Sequence, residues 1–166
     1  MSVNVSAIEL RDEDWADSVA ETLRQSGVSP GCLELEITET TIIHVVPKMI
    51  TALTKVAEMG VNIVLDDFGT GYSSLSNLRS LPIRRVKVDR SFVSEIMEDG
   101  KGGALAGAIV TLGRSLGLGV VAEGVETQDQ ANFLRSSGCH ELQGYLISRP
   151  LPAAEFEGLM ARQKPE

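Results

Sequence analysis

Basic residues are scarce in this 166-residue chain: 15 Lys and Arg stand against 23 Asp and Glu, for a formal net charge of -8 and an isoelectric point near 4.8. So acidic a protein repels polyanions, which excludes nonspecific binding to nucleic acid or to an anionic membrane. Any anionic ligand then needs a local basic patch or a metal ion. Cysteine is also sparse. Cys32 and Cys139 lack metal-ligand spacing and read as reduced, semi-buried thiols of a cytoplasmic protein, with a bridge between them left open. No apolar run approaches membrane-spanning length, and the N-terminus lacks a signal-peptide pattern. Linkers, low-complexity tracts and sequence repeats are missing as well. With 43% hydrophobic residues and a mean hydropathy of +0.05, what remains is one globular domain with a substantial core.

The stretch from Val61 to Leu75 organises what is present. Ile63, Val64 and Leu65 read as a strand buried on both faces, as parallel strands are. The strand ends in Asp66 and Asp67, and a loop with Gly69 and Gly71 follows. Adjacent carboxylates at the end of a buried strand repel each other, and are tolerable mainly with a cation or proton between them. Taken alone, the pair reads more readily as turn or helix-cap aspartates.

Five more strands are expected: Met1–Ser6, Leu33–Glu39, Arg85–Asp89, Val120–Glu123 and Leu142–Ile147. Helical segments separate them. Asp12 caps the first, which carries Trp15, Val19 and Leu23 and stops at Gly27. Pro47 opens the second, a short one spans Ser74 to Arg79, and Leu105 to Leu116 line a long one. Thr127 and Gln130 have the spacing of a capping box, and Phe156, Leu159 and Met160 mark the last helix before a frayed tail at 163–166. Steady strand–helix alternation predicts a parallel sheet with helices outside, either doubly wound or a (β/α) TIM-like barrel. Asn4, Glu36, Asp66 with Asp67, Lys87 or Asp89, and Glu123 sit at or near the ends of five different strands. A barrel brings all such ends to one mouth, whereas an open sheet spreads them along an edge. The distribution favours an α/β barrel.

At this point the chain resembles the EAL domain, a bacterial phosphodiesterase module that hydrolyses the second messenger cyclic di-GMP. The resemblance rests on Ser2–Ser6, Leu35-Glu36-Ile37-Thr38-Glu39, Asp66–Leu75, Val86-Lys87-Val88-Asp89-Arg90-Ser91-Phe92, Val121–Thr127, and Gln143-Gly144-Tyr145 with Ser148-Arg149-Pro150. These occur in the family's order and spacing. The Glu-Ala-Leu motif itself, and a nearby arginine that contacts a substrate phosphate, belong to an earlier strand of the family's barrel and are absent from this sequence. A complete barrel has eight strands in roughly 250 residues. Residues 1–162 are therefore expected to form an incomplete barrel of about six strands, the C-terminal two-thirds to three-quarters of an EAL domain.

The resemblance implies a site. Metal ligands fall at Asn4, Glu36, Asp66, Asp67 and Glu123, all oxygen donors, which suit two Mg²⁺ or Mn²⁺ ions. Lys87, Glu123 and Asp67 take catalytic roles. Lys87 orients or polarises the attacking water and stays protonated among acids, and its plainer alternative is a salt bridge to Asp89 or Asp67. Gln143, Asp89 and Arg90 lie on the substrate side, with Glu126 behind the ligands. Glu39 and the loop Phe68, Gly69, Thr70, Gly71, Tyr72 and Ser73 resemble the family's coupling device between substrate, metal and dimer. Arg79, Arg84, Arg85 and Arg90 crowd the fourth strand, as phosphate or guanine contacts or as partners of nearby acids. His44 and His140 fall outside the matching motifs.

The expected function is metal-dependent hydrolysis of cyclic di-GMP to the linear dinucleotide, weak or absent in this chain because the upstream glutamate is absent. Competing readings are a cyclic di-GMP receptor without catalysis and a protein-interaction module. Sensory or diguanylate cyclase domains are expected in a parent protein. Open sheet edges at Val3–Ser6 and Leu142–Ile147 predict a homodimer or higher assembly.

Overall fold

The computed structural model describes residues 1–43, 46–71, 78, 80–96, 102–139 and 141–162. Six parallel strands run side by side in chain order: β1 (Ser2–Asn4), β2 (Glu34–Thr38), β3 (Asn62–Phe68), β4 (Ile83–Val88), β5 (Gly119–Ala122) and β6 (Glu141–Leu142). The helices are α1 (Trp15–Ser26), α2 (Glu39–Ile43), α3 (Pro47–Glu58), α4 (Arg90–Ser94), α5 (Ala104–Ser115), α6 (Gln128–Ser136) and α7 (Ala153–Arg162). The sheet curls into an incomplete TIM-like barrel with helices around it.

Alternation along the strands sorts the side chains. On β2, Leu35 and Ile37 enter the core under the helices, whereas Glu34 and Glu36 turn to the lumen. On β3, Ile63 and Leu65 join the same core, and Val64, 1% exposed, is buried on the lumen side. From the helices, Met49, Leu53 and Val56 of α3 and Ala131 and Leu134 of α6 meet them. The expected start and stop signals hold at Pro47, at the left-handed Gly27 and at the reciprocal Thr127–Gln130 capping box.

Several boundaries differ from the sequence expectation: β1, β2 and β5 are trimmed or shifted at their ends, and β3 runs on through Asp66 and Asp67 to Phe68, which therefore belongs to the strand and not to the loop. Asp14, not Asp12, is the N-cap of α1; the Asp12 carboxylate instead accepts from the Asp14 amide at 3.0 Å. The strand expected at Arg85–Asp89 runs Ile83–Val88, because Asp89 turns to cap α4. The strand expected over Leu142–Ile147 is Glu141–Leu142 alone. Beyond it the chain bonds to the β5–α6 loop and to itself: Val125 donates to Gln143, Leu146 to Val125 and Ile147 to Gly144. A Cβ on Gly144 would lie 2.2 Å from the Val125 carbonyl oxygen, so only glycine permits that approach. Most of the helix expected at Ser74–Arg79, His44, His140 and the tail 163–166 lie outside the described residues.

Candidate active site

Lys87 stands at the centre of the strand ends. Its Nζ lies 2.6 Å from Glu123 Oε1, 3.1 Å from Glu36 Oε2 and 3.4 Å from Asp66 Oδ1, joining acids from β2, from β3 and from just beyond β5. Residues 51 positions apart along the chain thus share one buried hydrogen bond. The plainer expectation, a pair with Asp89 or Asp67, gives way to this three-acid arrangement. Burial opposes the charge on Lys87, but the Glu123 and Glu36 hydrogen bonds and the nearby carboxylates outweigh it and raise its pKa. The ammonium therefore keeps its proton. Burial raises the Glu123 carboxyl; Lys87 pulls the other way, and Asp66 and Glu36 add to the rise.

The adjacent acids gain their geometry from an irregularity in β3. Leu65 pairs with Val86 and Phe68 with Val88, so three steps on β3 match two on β4, and the extra residue makes a bulge. Asp67 takes φ 56°, the left-handed region, and its amide donates to Asp66 Oδ1 at 3.0 Å. Burial pushes its carboxyl up, Asp66 and Asp89 push further, and Lys87 opposes them. Strain of this kind at a cluster of acids points towards function.

The loop after β3 is tied down by one carboxylate. Glu39, 3% exposed, accepts from the amides of Gly69 and Gly71 through Oε2, each at 3.0 Å. Gly69 has φ +102°, and a Cβ there would sit 2.7 Å from Ile109 Cδ1. Phe68 is buried beneath the loop, and Thr70 donates to the Asp67 carbonyl. Tyr72 and Ser73 lie outside the described residues.

The other expected residues fall close by. Asn4 is the register partner of Glu36. Arg90, Glu123, Glu126 and Gln143 line one cavity of about 210 Å³ with Gly144 and Tyr145. Asp89 caps α4, accepting from the Ser91 amide and hydroxyl. Burial would raise its carboxyl, but the Ser91 bonds and Arg90 bring it below the ordinary value. Of the clustered arginines, Arg84 is exposed, Arg79 is outside the described residues, and Arg85 turns into the lumen. Arg85 Nη1 lies 2.6 Å from Glu141 and 3.4 Å from Glu34, a second charge layer beneath Lys87 and Glu36. Sequence reading grouped Arg85 with its neighbours in the chain. The two-residue steps Glu34–Glu36 and Arg85–Lys87 were the signal for this layer.

The donor set suits a hard divalent cation, being all oxygen. Yet among the described residues no three Asp, Glu, His or Cys side chains are grouped so as to hold a metal ion. The acids spread around the Lys87 ammonium instead. The fit is thus one of donor type and of convergence on a point of positive charge, and side-chain rotation is needed to bring three oxygens onto one ion.

Comparison with known proteins agrees with this fold. The family model for the EAL domain matches residues 1–150. The chain is 44% identical over 156 residues to the bifunctional diguanylate cyclase/cyclic di-GMP phosphodiesterase MucR of Pseudomonas aeruginosa, covering 94% of this chain and 23% of MucR. A solved structure of the MucR phosphodiesterase with c-di-GMP superposes with a TM-score of 0.86, covering 93% of this chain and 63% of that one. The EAL domain of Mycobacterium smegmatis DcpA is 38% identical with a TM-score of 0.89, over 99% and 74% of the two chains. The manganese/cyclic di-GMP complex of Klebsiella pneumoniae BlrP1 is 32% identical with a TM-score of 0.78, over 90% and 38%. The chain spans about a fifth of the length of the curated relatives, 19–28% for those ranging from a Caulobacter signalling protein to a further Pseudomonas phosphodiesterase. From its motifs, its curled parallel sheet and these matches together, the chain belongs to the EAL domain family.

Proposed function

We propose that this chain carries most of the active site of a cyclic di-GMP phosphodiesterase that opens the cyclic dinucleotide to its linear form. The observation that supports this best is the meeting of Glu36, Asp66 and Glu123 around Lys87 Nζ. Two Mg²⁺ or Mn²⁺ ions, bound by Asn4, Glu36, Asp66, Asp67 and Glu123, would lower the pKa of the attacking water and stabilise the leaving oxygen. Lys87, holding its proton, donates to the water and fixes its direction. Of these acids, Glu123 or Asp67 would take the water's proton. Arg90 and Gln143 contact the substrate from the neighbouring cavity, Asp89 positions Arg90 by capping α4, and Glu126 stands behind them. Glu39 sets the glycine loop beside the metal-bearing acids and so couples the loop to the site.

The substrate is taken from the c-di-GMP complexes of MucR and BlrP1, and the metal from the manganese complex of BlrP1. MucR is also named a diguanylate cyclase, which supports a signalling protein with further domains as the setting. Turnover by this chain alone is expected to fall well below that of a complete barrel.

The test is a chimera in which this chain replaces the matching segment of the MucR phosphodiesterase. It should hydrolyse cyclic di-GMP in Mn²⁺, and Lys87→Met or Glu36→Gln should abolish turnover. Binding without hydrolysis would make the module a receptor, and neither binding nor hydrolysis would overturn the assignment.

A further inference from the structure

Barrels of this kind fill their lumen in layers, each supplied by alternate strands and mostly by bulky apolar side chains. Here the upper layer holds Glu36 on β2, Lys87 on β4 and Gln143 just past β6. Two residues earlier on the same three segments stand Glu34, Arg85 and Glu141, and all six line one cavity of about 550 Å³. Val64 of β3 and Val121 of β5 lie between the two layers. The register puts them there: Val64 pairs with Glu36 and with Arg85, and Val121 with Lys87 and with Glu141.

The lower layer is therefore charged where such barrels place valine, isoleucine or leucine. Arg85 Nη1 donates to Glu141 at 2.6 Å and lies 3.4 Å from Glu34. The three side chains are a quarter to a half exposed, so the ion pairs themselves add little stability. What they add is geometry. Ladder hydrogen bonds join neighbouring strands, and β2, β4 and β6 are not neighbours. Arg85 ties across the curl of the sheet, skipping β3 on one side and β5 on the other. β5 leaves it room, because a Cβ on Gly119, the register partner of Arg85, would lie 3.0 Å from Arg85 Cγ.

We propose that Arg85 is a positioning residue: by holding Glu34 and Glu141 it sets how far β2, β4 and β6 stand apart, and so where Glu36, Lys87 and Gln143 meet one layer above. The inference rests on the phosphodiesterase reading for what the upper layer does, and on the lumen geometry alone for what Arg85 holds. With the two valines between the layers, Arg85 acts through the strands.

Losing Arg85 has two effects of opposite sign on a divalent ion. Removal of a cation from the lumen, by charge alone, draws the ion in more tightly. Loss of the tie displaces Glu36 and weakens its hold. Mn²⁺ is titrated into the whole chain, parent and Arg85→Met, with the free ion followed by electron spin resonance. Its dissociation constant should rise about three- to tenfold in Arg85→Met, short of the roughly 10–100-fold typical of a partner bonded directly to a ligand. Arg85→Lys, which can still bond Glu141, should recover part of the loss. Gly119→Ala changes no charge but crowds the Arg85 stem; it should weaken Mn²⁺ in the parent and add nothing to Arg85→Met. Without metal, amide exchange in Arg85→Met should quicken at Val5 and Gln143, which donate to the Glu36 and Ala122 carbonyls, and stay slow at Ile63 and Leu65. Tighter or unchanged Mn²⁺ in Arg85→Met, a Gly119→Ala effect that persists there, or unchanged exchange at Val5 and Gln143 would each overturn the positioning role. A parent chain that binds no Mn²⁺ would overturn the metal reading instead, and amide exchange would then decide for Arg85.

Discussion

Lys87 Nζ and Glu123 Oε1 lie 2.6 Å apart, and this contact between β4 and the residue following β5 holds the one ammonium that Glu36 and Asp66 also share. Replacing Lys87 by Met removes the cation and leaves mutually repelling carboxylates in a water-poor place. Unfolding in urea should show a loss of about 3–5 kcal/mol. Because a divalent ion can take over the missing charge, Mn²⁺ should raise the midpoint of Lys87→Met more than that of the parent chain. A response in neither protein would separate the acids from metal binding.

Glu39 serves two loop amides with one oxygen. In Glu39→Ala, both the Gly69 and Gly71 amides lose that acceptor, at a cost of about 1–3 kcal/mol for each that water cannot reach. Hydrogen exchange should accelerate at Gly69 and Gly71 and remain slow at Ile63 and Leu65. Gly69→Ala should loosen the same loop by another route, since its φ is positive and its Cβ would strike Ile109.

Asp89 supplies the pH dependence with the clearest sign. Its folded-state carboxyl titrates below the ordinary value, so its contribution is fully present above roughly pH 4 and is lost as the pH falls through its lowered pKa. Asp89→Ala should cost about 1 kcal/mol near neutrality, where the cap on α4 is intact. The difference between the two proteins should shrink in acid. A gap that stays constant down to pH 2 would mean that the cap is not electrostatic.

Both cysteines are free, Cys32 exposed and Cys139 buried. Burial raises the Cys139 thiol, and its Sγ donates to the carbonyls of Val120 and Glu141. A disulfide reagent should therefore consume one thiol per chain quickly and the second only on unfolding.

The sequence made the barrel legible because its signals were local. Period-two apolar residues in β2, the uninterrupted Ile63–Leu65 run and the Thr127 capping box each name an element without tertiary information. The convergence of Glu36, Asp66 and Glu123 was legible too, since parallel strands put their ends at one mouth. What escaped were features set by contacts between distant segments. Which acids of the mouth pair with Lys87 is not written in the sequence, where Asp89 or Asp67 is as plain a partner as any, whereas burial selects Glu36, Asp66 and Glu123. The early end of β6 depends on the Val125 carbonyl beside Gly144, and nothing in Leu142–Ile147 announces it.

The kink in β3 carries an implication for which residues position 67 can accept. An even pleat would send neighbouring side chains to opposite sides of the sheet, yet the Asp67 carboxyl feels Asp66, Asp89 and Lys87 at once. That is possible because aspartate tolerates a backbone hand that branched residues refuse. Asparagine or glycine could keep the bend, and neither would keep the charge. Shape and chemistry thus make separate demands there, and of the residues that tolerate such a bend, aspartate alone answers both.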